Sequence, residues 1–115
     1  METYILPMMK KYFTFIFIII LSLNTFAQKN PETRASALTA TMTKALSLNK
    51  EQQAKVYKIQ LDRFQEVVRV KKIYQNNPEK KRAELEKIYN KLYGKLKGNL
   101  GEEKMILWQE YKRNN

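Results

Sequence analysis

The sequence predicts an all-α fold, and three observations carry that expectation. Glycine and proline are sparse, three of each in 115 residues, so little interrupts a helix once it has started. Apolar residues recur at steps of three and four along successive stretches, the spacing of one helix face. No stretch shows the strict two-residue alternation of a half-buried strand. A chain of this length supports one small domain.

The start of the chain is expected to lie outside that domain. Lys10 and Lys11 precede an uncharged run from Tyr12 to Leu21, and Ser22-Leu23-Asn24-Thr25-Phe26-Ala27 closes it with small residues at Thr25 and Ala27. This is the order of a secretory leader: basic segment, apolar segment, small-x-small cleavage site. A membrane-spanning anchor needs about 20 apolar residues, and this run has roughly 10 to 15 before Asn24. A signal peptide over residues 1–27, cleaved after Ala27, is therefore expected, and its terminal Ala in place of Cys argues against a lipoprotein. Glu2 and Pro7 are odd for such a leader. A start at Met8 or Met9 fits better, which makes residues 1–8 read as a mis-called start. The working part is then a single helical domain over residues 28–115, periplasmic or secreted.

The helices of that domain follow in order. Asn30-Pro31 pairs an N-cap with a proline at the first helical position. Ala35, Leu38, Met42, Ala45 and Leu46 then give one narrow apolar face. Ser47-Leu48-Asn49 breaks the pattern, and Asn49 with Gln52 fits a capping box. A second helix is expected from Lys50 to Asn76. At about 100° per residue its apolar positions form two adjacent stripes, Tyr57, Leu61, Phe64 and Val68 on one, Val56, Ile59, Val67, Val70 and Tyr74 on the other. Lys55, Lys58, Asp62, Gln65, Glu66, Arg69 and Lys72 fill the remaining arc. So wide an apolar side must pack against two partners or keep surface for something else.

Asn76-Asn77-Pro78-Glu79 ends that helix and opens a third. Leu85, Ile88, Tyr89, Leu92, Tyr93 and Leu96 mark its apolar face, and Gly98-Asn99-Leu100-Gly101 is expected to stop it. A short last helix, from Glu102 to Lys112, carries Met105, Ile106, Leu107, Trp108 and Tyr111. Its acidic start and basic end agree with the helix dipole. Phe64, Val68, Leu92 and Leu96 are expected in the core, and Trp108 is expected to anchor the last helix.

Composition narrows the function. With 22 Lys and Arg against 11 Asp and Glu, the net charge is +11, and there is no Cys and no His. Disulfides, thiolate nucleophiles, thiolate zinc sites and imidazole chemistry are thereby excluded. No glycine-rich phosphate loop is present. Glu84 and Glu86, two residues apart on a helix, point away from each other and do not make a catalytic pair. An enzyme is the poorest fit, and no cofactor or metal is expected. Without residues 1–27 the chain keeps 20 basic and 10 acidic side chains over 88 residues, net +10. Export makes nucleic acid an improbable partner for that charge.

A weak internal repeat adds to this. Leu48-Asn49-Lys50-Glu51-Gln52 and Leu100-Gly101-Glu102-Glu103-Lys104 both place a Leu before a helix start and a Glu in its first turn. Here the chain resembles the Spy/CpxP family of small extracytoplasmic helical proteins, marked by two copies of Leu-Thr-x-x-Gln, each opening a helix. Leu48 and Gln52 match the first copy, with Asn49 in place of Thr. In the second copy Leu100 alone matches, since Gly101 replaces Thr and Lys104 replaces Gln. Trp108 stands where an aromatic often follows that copy. The resemblance covers most of residues 30–112 in helix order and spacing. It implies a long antiparallel helical hairpin with shorter flanking helices, dimerising into a curved cradle. Its implied activity is ATP-independent chaperoning or stress adaptation. The family's metal-responsive branch relies on His ligands, which this chain lacks.

As a binder of unfolded or partly folded proteins, the chain would attract clients by charge and hold them by apolar patches. The candidate residues are Arg63, Arg69, Lys71, Lys72, Lys80, Lys81 and Arg82, with Val67 and Val70 from the wide apolar arc. A charge run of this kind is more often simply a solvated face. Two other readings compete. One is a peripheral binder of anionic membrane surfaces, with Tyr57, Tyr74, Tyr89, Tyr93 and Tyr111 interleaved among lysines. The other is a purely structural helical dimer joined through the second apolar stripe of the second helix. With no disulfide or metal to support a small core, a homodimer is expected.

Overall fold

The computed structural model describes residues 30–115, and residues 31–115 form one unit of four helices. These are α1 (Pro31–Leu46), α2 (Lys50–Ile73), α3 (Pro78–Leu100) and α4 (Glu102–Asn114). All regular structure among the described residues is α-helical. The expected leader, its cleavage site and the alternative start lie outside the described residues.

Each boundary has a local cause. Ser47 adopts φ 53° just past the end of α1, and the Leu48 amide donates back to the Thr43 carbonyl. Asn49 then opens α2 with a full capping box: Oδ1 accepts from the Gln52 amide at 2.8 Å, and Gln52 Oε1 accepts from the Asn49 amide at 3.1 Å. Asn77 opens α3 by accepting from the Lys80 amide at 3.1 Å, with Pro78 in the first turn. Gly101, at φ 86°, ends α3 and starts α4 without any side-chain cap.

Three expected boundaries shift, the last helix running to Asn114 where an end at Lys112 was expected. The second helix ends at Ile73, not Asn76, because Tyr74 closes it through a backbone bond to Val70 and Asn77 turns back onto Tyr74. The third helix runs through Gly98 and Asn99 to Leu100. Helical hydrogen bonding tolerates a lone glycine, so the break falls at Gly101, where φ turns positive.

The helices touch around a ring: α1 with α2, α2 with α3, α3 with α4, and α4 with α1. Neither diagonal pair brings its backbones within 8 Å, Cα to Cα. The core gathers at one end of this ring, from Met42, Leu46, Val56, Leu96, Met105 and Trp108. Leu48 and Leu100 are buried in the same cluster, which explains the Leu before each of the two helix starts. Lys104 ties this end together, its Nζ donating to the Leu46 carbonyl at 2.7 Å.

Length differences decide what happens at the other end. At 1.5 Å per residue, α2 and α3 are each about 35 Å long, α1 about 24 Å and α4 about 20 Å. The start of α1 reaches only as far as Phe64, where the Arg34 guanidinium lies over the ring at 4.4 Å. Beyond that level α2 and α3 continue with each other as partners, joined across by the 2.9 Å Lys91–Glu66 ion pair.

This arrangement corrects several expectations. Val68, expected in the core, is 50% exposed because α1 ends below it. Val70, expected on an available surface, is buried at 8% exposure. The second stripe supplies much of the packed face, with Val56 and Ile59 also buried and Val67 and Tyr74 half-buried. Tyr89 and Tyr93, expected on the packed face of the third helix, are 56% and 46% exposed. Ile106 and Leu107 point outward from α4 and are exposed. Phe64 and Leu96 are buried and Leu92 is half-buried.

Candidate functional site

Four helices in a ring whose diagonal backbones stay more than 8 Å apart leave a space between them. At the core end large side chains fill it. Farther along, the facing positions are Gln60 and Arg63 on α2 and the outward-leaning Tyr89 and Tyr93 on α3, and the space opens into a cleft of about 330 Å³. Each helix contributes to its walls: Leu38 from α1, Gln60 from α2, Leu92 from α3, Trp108 from α4.

Polar and apolar elements are unevenly placed within it. Leu96, Met105 and Trp108 belong to the core cluster and form the inner wall. Trp108 stacks on Tyr111 at 5.5 Å with nearly parallel rings. Lys112, one turn farther along α4, sets its Nζ 5.8 Å from the Trp108 ring. Across the cleft the Arg63 guanidinium lies 4.2 Å from the Phe64 ring and 5.4 Å from the Tyr89 ring. The ring quadrupoles stabilise both cations there.

The charged residues lining the cleft are Arg63 and Lys112, and no acid lines it. Arg63 is also poorly hydrogen-bonded. Its Nε is buried without a partner among the described residues, and its Nη1 makes a long 3.5 Å contact with Gln60 Oε1. Gln60, almost fully buried, turns its Nε2 to the Met42 sulfur at 3.5 Å. These groups retain unused hydrogen-bonding capacity, which in a site of low dielectric favours an acceptor brought in from outside. Among the described residues no cluster of three or more acidic side chains is arranged to hold a metal ion.

The residues singled out from sequence fall in three places. Arg63 reaches the cleft. Arg69, Lys71, Lys72, Lys80 and Arg82 are exposed, and Lys81 half-buried, at the far end of the α2–α3 pair, with Ile73 62% exposed among them. Val67 is half-buried, and Val70, Leu48 and Leu100 are buried. Asn49 and Gln52 form the cap of α2, remote from the cleft lining.

Tyr93, Lys112 and Gln60 escaped sequence reasoning as cleft residues. A signal existed for the tyrosine, since Tyr89 and Tyr93 lie one turn apart on a lysine-rich helix. A polar Gln60 between Val56 and Phe64 was a second signal. Lys112 carries none beyond its place in the last turn of α4.

A family model for a domain of unknown function, DUF4890, matches residues 24–108. No curated protein and no solved structure matches the chain.

Proposed function

The chain is a member of the DUF4890 family, and we propose that it is an exported helical protein that binds unfolded or partly folded envelope proteins without ATP. The observation that carries this reading is the open cleft, walled by aromatic and aliphatic side chains and lined by two cations and no acid. In the Spy-like arrangement α2 and α3 form the long antiparallel hairpin, α1 and α4 flank it, and two copies make a curved cradle. Ile106 and Leu107, both about half exposed on α4, are the apolar surface left for the second copy.

Each part has a physical task. The net charge of +10 over residues 28–115 draws acidic segments in over a Debye length, about 8–10 Å at ordinary ionic strength. Tyr89, Tyr93 and Leu92 then offer apolar area for client side chains at the mouth. Contacts of this size hold weakly, so release needs no nucleotide. Capture should therefore slow as salt rises, while holding, which is apolar, should change little.

The test is suppression of aggregation of a denatured client by near-stoichiometric protein without nucleotide. We expect light scattering to fall in proportion to added protein. No effect across a range of salt would remove the reading. A mass that stays monomeric at every concentration would remove the cradle but leave client binding in place.

A second reading rests on the far end of the α2–α3 pair. Six basic side chains flank the turn that follows the exposed Ile73, and a basic residue beside an anionic lipid surface contributes about 1 kcal/mol. Failure to co-sediment with anionic vesicles at low salt would remove it.

A further inference from the structure

We propose that the cleft is also a site for a single-chain anionic amphiphile, its carboxylate between Arg63 and Lys112 and its hydrocarbon chain along Leu92, Leu96, Met105 and Trp108. This does not depend on client binding. It depends on three features of the cleft itself.

The first is the sign of its charge. Both charged lining residues are cations, although 11 acids are spread through the chain. The second is direction. Leu96, Met105 and Trp108 close the inner end within the core cluster. Lys112 lies four residues beyond Trp108, about 6 Å along α4. Tyr89, beside which Arg63 stands, lies seven residues before Leu96, about 10 Å along α3. Arg63 beside Tyr89 therefore marks the outer end and Leu96 and Met105 the inner one, while the Lys112 ammonium lies alongside, 5.8 Å from the Trp108 ring, a polarity closer to that of a fatty acid than of an evenly polar metabolite. The third is the sparse hydrogen bonding of the Arg63 guanidinium, whose terminal Nη1 makes one long 3.5 Å contact with Gln60 Oε1. A carboxylate supplies the acceptors that a guanidinium fork matches.

Size limits the ligand. A cleft of about 330 Å³ sits near the lower end of small-molecule sites, roughly 300–1,000 Å³. It suits one chain of medium length, not a two-chain phospholipid.

Trp108 is the single tryptophan of the sequence, so its emission reports on the inner wall directly. The protein is titrated with dodecanoate, dodecanol and dodecyltrimethylammonium, each below its micelle concentration. Dodecanoate is expected to give a saturable change, with half-saturation at least tenfold lower than for the other two. The Arg63→Gln, Lys112→Gln double variant should weaken dodecanoate at least tenfold while keeping the helical circular dichroism. If that variant loses its fold, Lys112→Gln alone, at an exposed position, should weaken binding at least threefold. No saturable response, an equal response to the cationic probe, or undiminished binding by the folded variants would overturn the proposal. Aggregation suppression measured without amphiphile is independent of all these outcomes, so either idea can fail while the other stands.

Discussion

Lys104 shows how a single substitution in a repeat changes its task. In the first Leu-containing copy Gln52 folds back to complete a capping box on its own helix. In the second copy Gly101 offers no side chain to cap, and Lys104 reaches away to the last carbonyl of α1. One helix start thereby seals another helix's end, where cationic donors are favoured by the dipole. Replacing Lys104 with Met removes a charged, partly buried hydrogen bond. Chemical denaturation should show a loss of about 1–2 kcal/mol. The capping box was legible from sequence because it is local. The reach of Lys104 across to residue 46 was not, because nothing in the spacing of a helix start encodes which distant carbonyl lies beside it.

At the scale of elements, the order of the four helices and the caps of α2 and α3 could be read directly. The wide apolar arc of α2 called for two partners or for surface kept free, and both α1 and α3 pack on it. Periodicity alone does not say which stripe lies deeper: Val70 is buried, and the early end of α1 leaves Val68 uncovered. Val70→Ala should therefore cost about 2 kcal/mol. Val68→Ala should stay within about 0.5 kcal/mol. Equal losses at the two positions would contradict the packing described.

The glycines give a second contrast between elements. Gly98 lies inside α3, and an added Cβ would meet nothing within 4 Å. Gly98→Ala should raise stability by about 0.5–1 kcal/mol. Gly101 has equal space but a φ of 86°. Gly101→Ala should lower stability by about 1 kcal/mol or more, since L side chains avoid that conformation. Thermal unfolding of the two variants should move in opposite directions.

For the whole molecule, composition and periodicity pointed to an all-α domain, but the cleft was not visible in either. It lies between residues of all four helices, which makes it a property of the assembled ring. Arg63 was the one candidate cation that the ring brings into the cleft. The other basic candidates stand at the far end of the α2–α3 pair, a separate surface with its own lipid-binding test. The claim that matters most is that clients are held in the cleft and not on the general basic surface. Because the chain has no cysteine, single cysteines at Tyr93 in the cleft and at Lys58 on the outer face of α2 can each carry a short cross-linker. The account predicts that a denatured client cross-links several-fold more at Tyr93→Cys than at Lys58→Cys. Equal or greater yield at Lys58→Cys would contradict it.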